Sequence, residues 1–193
     1  MTTFYKTATT LRPGAMTLPA PYYTCQEIFA QELERIFYRR WVFVGRQEEI
    51  PQPGDYIVRT VGTEQLILLR DRQGDVRSFY NLCRHRGTRL CLEPSGHLAG
   101  TIRCPYHAWS FGLDGQLLSA PFMQAIEGFR REDFPLQPVE TALWEGGLFV
   151  NLAPTPNPYP LPLPPCSIAS PLGTCRNYTA PIRSNIPYTP TGS

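Results

Sequence analysis

The stretches CRHRG (residues 83–87) and CPYHAW (residues 104–109) each place one cysteine and one histidine close together. They supply the pairs Cys83 with His85 and Cys104 with His107, in a chain that has three histidines in all. The first pair follows a predicted strand and opens a loop, and the second pair lies between two short predicted strands. Because the tips of such loops can meet without disturbing the sheet behind them, we expect the four side chains to converge on one site.

The chain around these loops has the pattern of a small antiparallel β domain. PQPGD at residues 51–55 interrupts the chain, and short runs rich in β-branched and aromatic residues follow it. Gln73-Gly74 and Asp114-Gly115 have the residue types of tight hairpin turns. We therefore predict a mainly β fold, an antiparallel barrel or sandwich. The predicted strands are 56–61, 66–69, 76–80, 101–103, 109–111 and 148–151.

One α-helix is predicted in front of the β domain, over residues 25–40. Thr24 followed by Glu27 has the pattern of a capping box, which marks the start of a helix. Apolar residues then recur at helical spacing up to Trp41, and these are Ile28, Phe29, Leu33, Ile36 and Phe37.

The composition changes after residue 153. Eleven of the 21 prolines lie between Pro154 and Pro190, and Glu145 is the last acidic residue. Such a segment buries too little apolar surface to offset the entropy of ordering. We predict an N-terminal arm at 1–20, a domain at 21–153 and a disordered proline-rich tail at 154–193.

The charge and hydropathy of the chain exclude several classes of function. The net charge is +2 with the charges interspersed, so no basic patch for nucleic acid is expected. No apolar run approaches the length that spans a membrane, and the N-terminus lacks the apolar core of a secretory signal. A cytoplasmic, reducing location is the expectation, and there the six cysteines are expected to be thiols or metal ligands.

Three interpretations of the two cysteine and histidine pairs compete. The cysteines could be small buried apolar residues beside ordinary polar histidines, but two such pairs in one short window disfavour this. A structural zinc site usually pairs cysteine with cysteine in one loop, whereas both loops here are mixed. In a Rieske-type 2Fe-2S cluster, two cysteines bind one iron and two histidines bind the other. Mixed loops suit this cluster, because each loop then contacts both irons.

The sequence around the two pairs resembles a known family. CRHRGTRLC and CPYHAWSFGLDGQL, with IFYRRWVFVGR and PGDYIV before them and GGLFVNL after them, resemble the N-terminal Rieske domain of Rieske non-heme iron oxygenases. In these ring-hydroxylating enzymes the domain belongs to the large, or alpha, subunit. The resemblance covers about residues 18 to 153. The chain is most similar to the branch that acts on aromatic acids or on quaternary amines such as choline, carnitine and glycine betaine.

The resemblance implies a role for each residue of the two motifs. Cys83 and Cys104 would bind one iron of the cluster, and His85 and His107 the other. Trp109 would pack beneath the cluster loop. Four further residues would shape the hydrogen bonds around the cluster, namely Arg84, Arg86, Gly87 and Tyr106.

The remaining histidine and cysteines match no ligand position of the family. His97 is expected to be an exposed loop residue. The resemblance gives no ligand role to Cys91, and the other three cysteines are expected to be incidental, namely Cys25, Cys166 and Cys175.

The resemblance also implies partners and a second metal. In the family, the cluster takes electrons from a ferredoxin or a flavin reductase and passes them to a mononuclear Fe(II) held by two histidines and a carboxylate. Only His97 remains for such a site, so we assign no catalytic residue and expect an oxygenase subunit that is truncated or frameshifted before its catalytic domain. Other oxygenase subunits are possible partners. The alternatives are a free-standing Rieske-type ferredoxin and a zinc-stabilised interaction module.

Overall fold

The computed structural model describes residues 17–123 and 125–159. Within them the chain forms ten strands and few helical residues, and this confirms the predicted mainly β, antiparallel fold. The strands are β1 (Val42–Arg46), β2 (Asp55–Val61), β3 (Glu64–Arg70), β4 (Val76–Tyr80), β5 (Ser95–His97), β6 (Thr101–Arg103), β7 (Ser110–Gly112), β8 (Leu117–Ser119), β9 (Pro138–Trp144) and β10 (Gly147–Asn151).

The strands form two antiparallel sheets. The larger sheet has seven strands in the order β1-β10-β9-β4-β3-β2-β5, and the smaller sheet has the order β6-β7-β8. The six predicted strands all appear, within one or two residues of the predicted ends. The two predicted turns connect β3 to β4 and β7 to β8.

Strand β3 separates two hydrophobic cores. Ile67 and Leu69 point into one core, Leu66 and Leu68 point into the other, and all four are fully buried. A strand that is buried on both faces reads as a continuous apolar run, and this explains why its sequence does not alternate. The core that contains Ile67 and Leu69 also takes side chains from the smaller sheet, including Phe111, and therefore lies between the two sheets.

The larger sheet curls into a half-barrel around the second core. Strands β1 and β2 stand far apart in the strand order, yet Val44 of β1 and Ile57 of β2 belong to the same core. Arg59 of β2 also donates a hydrogen bond from Nε to the carbonyl oxygen of Val44 at 2.8 Å. The face of β3 that points away from the half-barrel packs against the smaller sheet.

The predicted N-terminal helix is present over residues 26–37, which is shorter than the predicted range of 25–40. A short helix, α1 (Pro21–Thr24), ends at Cys25, whose extended backbone separates it from α2 (Gln26–Glu32). A π-helical turn, Leu33–Phe37, continues α2. Thr24 does not cap α2, because its hydroxyl donates to the carbonyl oxygen of Ala20 instead. The predicted apolar positions are only partly covered, and Phe29 is exposed.

The first residues of the predicted tail lie against the domain. The indole of Trp41 donates to the carbonyl oxygen of Asn157 at 3.0 Å, and Tyr159 meets Trp41 edge-on with ring centroids 5.1 Å apart. The predictions for residues 160–193, with Cys166 and Cys175, and for most of the N-terminal arm lie outside the described residues. In the part of the chain that the structure describes, no helix has the length and apolar character needed to cross a membrane.

The two predicted turns offer a matched test of core packing. Gly74 and Gly115 both have a left-handed backbone, with φ of +88° and +85°. A Cβ at position 74 would meet nothing within 4 Å, whereas one at position 115 would lie 2.5 Å from the ring of Phe79, which is buried. We expect Gly74→Ala to lower the free energy of unfolding by about 1 kcal/mol, from backbone strain alone. Gly115→Ala should lower it by about 2–4 kcal/mol, because the ring must also move.

Chemical denaturation of the two variants beside the parent protein measures the difference. Equal losses in the two variants would contradict the contact between the turn and Phe79.

Candidate metal centre

Two loops carry the four predicted ligands, and both rise from the core between the sheets. Loop 1 (residues 81–91) follows β4 and carries Cys83 and His85. Loop 2 (residues 104–109) joins β6 to β7 and carries Cys104 and His107. The prediction of two loops on a rigid β domain is therefore correct, although only loop 2 is the tip of a hairpin.

The two loops share one backbone conformation. In loop 1 the N–H of Gly87 donates to the carbonyl oxygen of Cys83, and the N–H of Cys83 donates to Thr88. In loop 2 the N–H of Ala108 donates to Cys104 in the same way, and the N–H of Cys104 donates to the carbonyl oxygen of Trp109. Each loop thus closes a tight turn directly after its cysteine.

Both turns require a left-handed residue at the same position. It is Gly87 in loop 1, with φ of 68°, and Ala108 in loop 2, with φ of 58°. Glycine adopts this conformation at no steric cost, but alanine does so only with strain. The structure therefore gives Gly87 a backbone role in shaping loop 1.

The donors of the two loops meet in two like pairs. The rings of His85 and His107 stand edge to face with centroids 4.7 Å apart. The sulfur of Cys104 lies close enough to Cys83 to raise its pKa. Within residues 17–123 and 125–159, no three cysteine, histidine or acidic side chains converge on a point that could hold one ion. A tetrahedral zinc site needs four ligands around one point, so two separate pairs favour a two-metal centre.

The sulfur pair lies deeper than the imidazole pair. Cys83 and Cys104 are 4% and 3% exposed, whereas both histidine rings are partly exposed. Burial, with a contribution from Cys104, raises the pKa of Cys83 to about 11, although the backbone N–H groups of His85 and Arg86 partly oppose this. Without metal this thiol is protonated at neutral pH, so metal binding must release its proton.

The imidazole pair leaves two buried nitrogen atoms without partners. Nδ1 of His85 and Nδ1 of His107 are buried and have no hydrogen-bond partner among the described residues. Burial also lowers the pKa of His85, which keeps the ring neutral and able to bind metal. A buried polar atom without a partner is costly, and metal coordination would satisfy both nitrogens. The residues present therefore fit a cluster held by two sulfurs and two ring nitrogens.

Aromatic packing fixes the orientation of both rings. The Trp109 indole is 2% exposed and stacks on His85, with centroids 4.9 Å apart and an angle of 7° between the planes. Phe129 and Phe134 in turn meet the indole edge-on at 5.9 and 5.8 Å. On the other side the exposed Tyr106 lies against His107, with centroids 3.7 Å apart. Trp109 is thus buried against the His85 ring of loop 1, and its place beneath a bound cluster stays a prediction.

Two arginines of loop 1 flank His85 on the surface, and, besides burial, the charge of Arg86 contributes to the lowered pKa of that histidine. Arg84 and Arg86 are exposed, and neither side chain makes an ion pair within the described residues. Arg86 acts on Cys83 through its backbone N–H instead. Arg86 therefore acts on the site through its main chain at Cys83 and through its charge at His85, and the role predicted for it beside a cluster stays a prediction.

The other histidine and cysteines of the described chain lie outside the two pairs. His97 is exposed, as expected, but lies in β5 rather than in a loop, and its Nδ1 lies 2.9 Å from Oδ1 of Asp55. Cys91 is buried at the end of loop 1, and burial raises its pKa to about 11. Cys25 donates a hydrogen bond to Glu27 at the start of α2.

Sequence reasoning missed Asn81 and the special backbone of Ala108. Asn81 is fully buried at the start of loop 1 and hydrogen-bonds to the far end of the loop. The only signal in the sequence was an asparagine directly after a predicted strand, which is also typical of an ordinary turn. For Ala108 there was no signal, because alanine is not a residue that normally marks a left-handed backbone.

Comparisons with known proteins agree with this geometry. The family model described as the Rieske [2Fe-2S] domain matches residues 40–130. The chain is 40% identical over 138 residues to the carnitine monooxygenase oxygenase subunit of Acinetobacter baumannii, covering 72% of this chain and 37% of that subunit. It is 41% identical over 145 residues to the glycine betaine monooxygenase oxygenase subunit of Chromohalobacter salexigens, covering 75% and 32%.

A solved structure shares the fold. The crystal structure of the apo form of CntA, a quaternary ammonium Rieske monooxygenase, superimposes with a TM-score of 0.68 at 39% identity, covering 71% of this chain and 40% of that chain. Fold and site together define a Rieske [2Fe-2S] domain. The chain contains a Rieske [2Fe-2S] domain at residues 40–130, and its β domain corresponds to the Rieske domain of the alpha, or oxygenase, subunit of Rieske oxygenases.

The matched region is a part of each relative. The chain spans about a third to two fifths of the length of the curated relatives that it matches. The truncation expected from the sequence stays a prediction.

The shared turn of the two loops generates a reciprocal prediction. Gly87→Ala should lower the free energy of unfolding of the cluster-loaded protein by about 1 kcal/mol, because a Cβ there meets no atom within 4 Å and only the backbone is strained. Ala108→Gly should raise it by a similar amount, because the same strain is removed. Thermal unfolding followed by circular dichroism measures both changes. Stabilisation by Gly87→Ala, or marked destabilisation by Ala108→Gly, would contradict the common backbone of the loops.

Proposed function

We propose that this chain is the electron-transfer part of a Rieske oxygenase, which receives single electrons from a protein donor and passes them to a mononuclear iron. The observation that carries the proposal is the separation of the donors into a buried sulfur pair and a partly exposed imidazole pair. Such a centre can hold two metal ions, one with sulfur ligands and one with nitrogen ligands, which a single-ion site cannot do. The relatives are oxidoreductase subunits, and this fits the same role.

We assign the ligands by atom. The sulfurs of Cys83 and Cys104 would hold one iron, and Nδ1 of His85 and Nδ1 of His107 would hold the other. The assignment to Nδ1 is supported by the burial and missing hydrogen bonds of both nitrogens among the described residues. Trp109 and Tyr106 would then hold the two rings in place by stacking.

A bound Rieske cluster supplies one-electron chemistry, at a potential that the class keeps above that of all-cysteine ferredoxin clusters because neutral imidazoles replace thiolates. The protein contributes the environment of that cluster. Burial keeps water from the sulfurs, and the backbone N–H groups of His85 and Arg86 stabilise negative charge on Cys83. The partly exposed rings provide the edge at which an electron can enter or leave.

The mononuclear Fe(II) of the family is not formed by residues 1–193 in this proposal. Such a site needs two histidines and a carboxylate, and His97 is the one histidine outside the cluster pairs. His97 also lies against Asp55 on an exposed edge strand. Hydroxylation therefore requires iron ligands from other sequence. The similarity to oxygenase subunits extends over about three quarters of the chain, and this supports an oxygenase component rather than a free-standing ferredoxin.

The surface around the imidazole edge fits an acidic electron donor. Residues 81–92 and 101–113 contain four arginines and no aspartate or glutamate, namely Arg84, Arg86, Arg89 and Arg103. All four are exposed, and none makes an ion pair within the described residues. We call this surface the arginine face. A ferredoxin or flavin reductase with an acidic surface would be steered to it by charge complementarity.

The free cysteines bear on the cellular location of the protein. The described cysteines are all free thiols, namely Cys25, Cys83, Cys91 and Cys104. We propose a reducing, cytoplasmic location, because free cluster ligands must escape oxidation before iron is inserted.

Removal of single ligands tests the assignment. Cys83→Ala and His107→Ala should each lose the cluster, because either change leaves one iron with a missing protein ligand. Iron and acid-labile sulfide analysis, with the electron paramagnetic resonance signal of the reduced protein, measures the loss. Cys91→Ala and His97→Ala are the matched controls and should keep the iron and sulfide content of the parent. Full cluster content in Cys83→Ala, or a parent that holds only zinc, would refute the assignment.

Charge reversal tests the arginine face. The double variant Arg86→Glu/Arg89→Glu should slow reduction by an acidic [2Fe-2S] ferredoxin roughly tenfold or more at low salt, and the difference should shrink as ionic strength rises. Stopped-flow absorbance of the cluster measures the rate. Arg46→Glu, on β1 and away from the loops, is the matched control and should change the rate little. A small uncharged reductant serves as a second electron donor that needs no docking surface. A lowered reduction potential of the cluster would slow reduction by both the ferredoxin and this reductant, whereas weaker docking would slow reduction by the ferredoxin alone. A rate that does not depend on salt or on these arginines would contradict the proposed surface.

A further inference from the structure

The two ligand loops are attached to the sheet in different ways. Loop 2 is closed by the β6–β7 ladder, in which Arg103 pairs with Ser110 and Ile102 pairs with Phe111. Loop 1 has no such ladder at its base. Strand β4, which precedes it, pairs with β3 and β9, and β5, which follows it, pairs with β2. The two chain segments that enter and leave loop 1 therefore belong to different places in the sheet.

One side chain replaces the missing ladder. Asn81 is 0% exposed, and its Oδ1 accepts hydrogen bonds from the N–H groups of Leu90 at 3.0 Å and Cys91 at 2.9 Å. Its Nδ2 donates to the carbonyl oxygen of Cys91 at 2.8 Å. The backbone N–H of Asn81 donates to Gln65 of β3 at 2.8 Å. Asn81 thus joins both ends of loop 1 to the central strand of the larger sheet.

The other hydrogen bonds of loop 1 do not provide this attachment. In the described part of the chain, the backbone bonds of residues 82–88 run from Cys83 to Thr88, from Gly87 to Cys83 and from Leu82 to Tyr80. These bonds shape the turn that holds Cys83 and His85, but they leave it tied to its own neighbours. Besides the packing of Cys83 in the core and of His85 on Trp109, the position of the turn relative to loop 2 depends on the base of loop 1.

We propose that Asn81 is a positioning residue that fixes the ligands of loop 1 opposite those of loop 2. The inference rests on the proposed function, since it concerns how the cluster ligands are held. A leucine would fill the same buried space at a lower desolvation cost, so the presence of a polar residue there is explained by its three hydrogen bonds. Asn81 touches no ligand side chain in this role and acts through the backbone of loop 1.

Three variants separate positioning from general stability. Asn81→Leu keeps the volume and removes all three bonds, whereas Asn81→Asp keeps the two that Oδ1 accepts and loses the one that Nδ2 donates. Asn151→Leu is the matched control, because Asn151 is also a buried asparagine, 2% exposed, but lies on β10 and bonds to Ala153. Hydrogen exchange of peptides from loop 1 and loop 2, followed by mass spectrometry on the cluster-loaded protein, gives the local readout. Electron paramagnetic resonance of the reduced cluster gives the geometric one.

Asn81→Leu should speed exchange in loop 1 about tenfold or more and leave loop 2 unchanged, because only loop 1 loses its closing bonds. Its resonance should broaden or shift in g value, while that of Asn151→Leu should overlay the parent. If Asn81→Leu does not fold, Asn81→Asp carries the test and should speed exchange in loop 1 alone. Equal exchange in both loops, or a spectrum and exchange like those of Asn151→Leu, would overturn the proposal. If the parent holds no cluster, the proposed function fails, and the same exchange comparison made on the cluster-free proteins still decides whether Asn81 holds loop 1.

Discussion

The site depends on one constraint. Each of the two loops carries one cysteine and one histidine, and the loops must bring the two cysteines together and the two histidines together. Each loop offers one sulfur and one imidazole, yet sulfur meets sulfur and ring meets ring across the gap. This arrangement requires both loops to take the same turn after the cysteine, with a left-handed residue at Gly87 and at Ala108. Because glycine occupies only one of the two positions, the backbone strain of the site is concentrated in loop 2.

The β domain has two hydrophobic cores, and only one of them supports the two loops. One core lies between the sheets, directly beneath the loops, and contains both cysteines and Trp109. The other closes the half-barrel and is remote from the ligands. Strand β3 contributes side chains to both cores, and it also accepts the hydrogen bond from the backbone N–H of Asn81. Loop 1 is therefore attached to a strand whose central residues are fully buried. A rigid support of this kind keeps the distances between the side chains of the two loops constant.

The sequence indicated which side chains form the site, but not the hydrogen bonds that hold loop 1 in place. The two pairs of cysteine and histidine could be singled out because these residues at this spacing have few other uses, and their role as ligands stays a prediction. Strands β4 and β6 were predicted at their observed bounds because their residues favour strands. Strand β5 was missed because SGH has no strand pattern, and its existence depends on pairing with β2. The role of Asn81 could not be predicted, since its partners lie nine and ten residues away and become neighbours only after loop 1 has folded back.

The different closure of the two loops bears on how each of them folds. A hairpin ladder forms from residues close together in the chain, so the pairing of β6 with β7 places Cys104 and His107 in one turn. Cys83 and His85 depend instead on one side chain that must find the far end of its own loop. Loop 2 can therefore form from local contacts alone, whereas loop 1 closes only when Asn81 reaches Leu90 and Cys91.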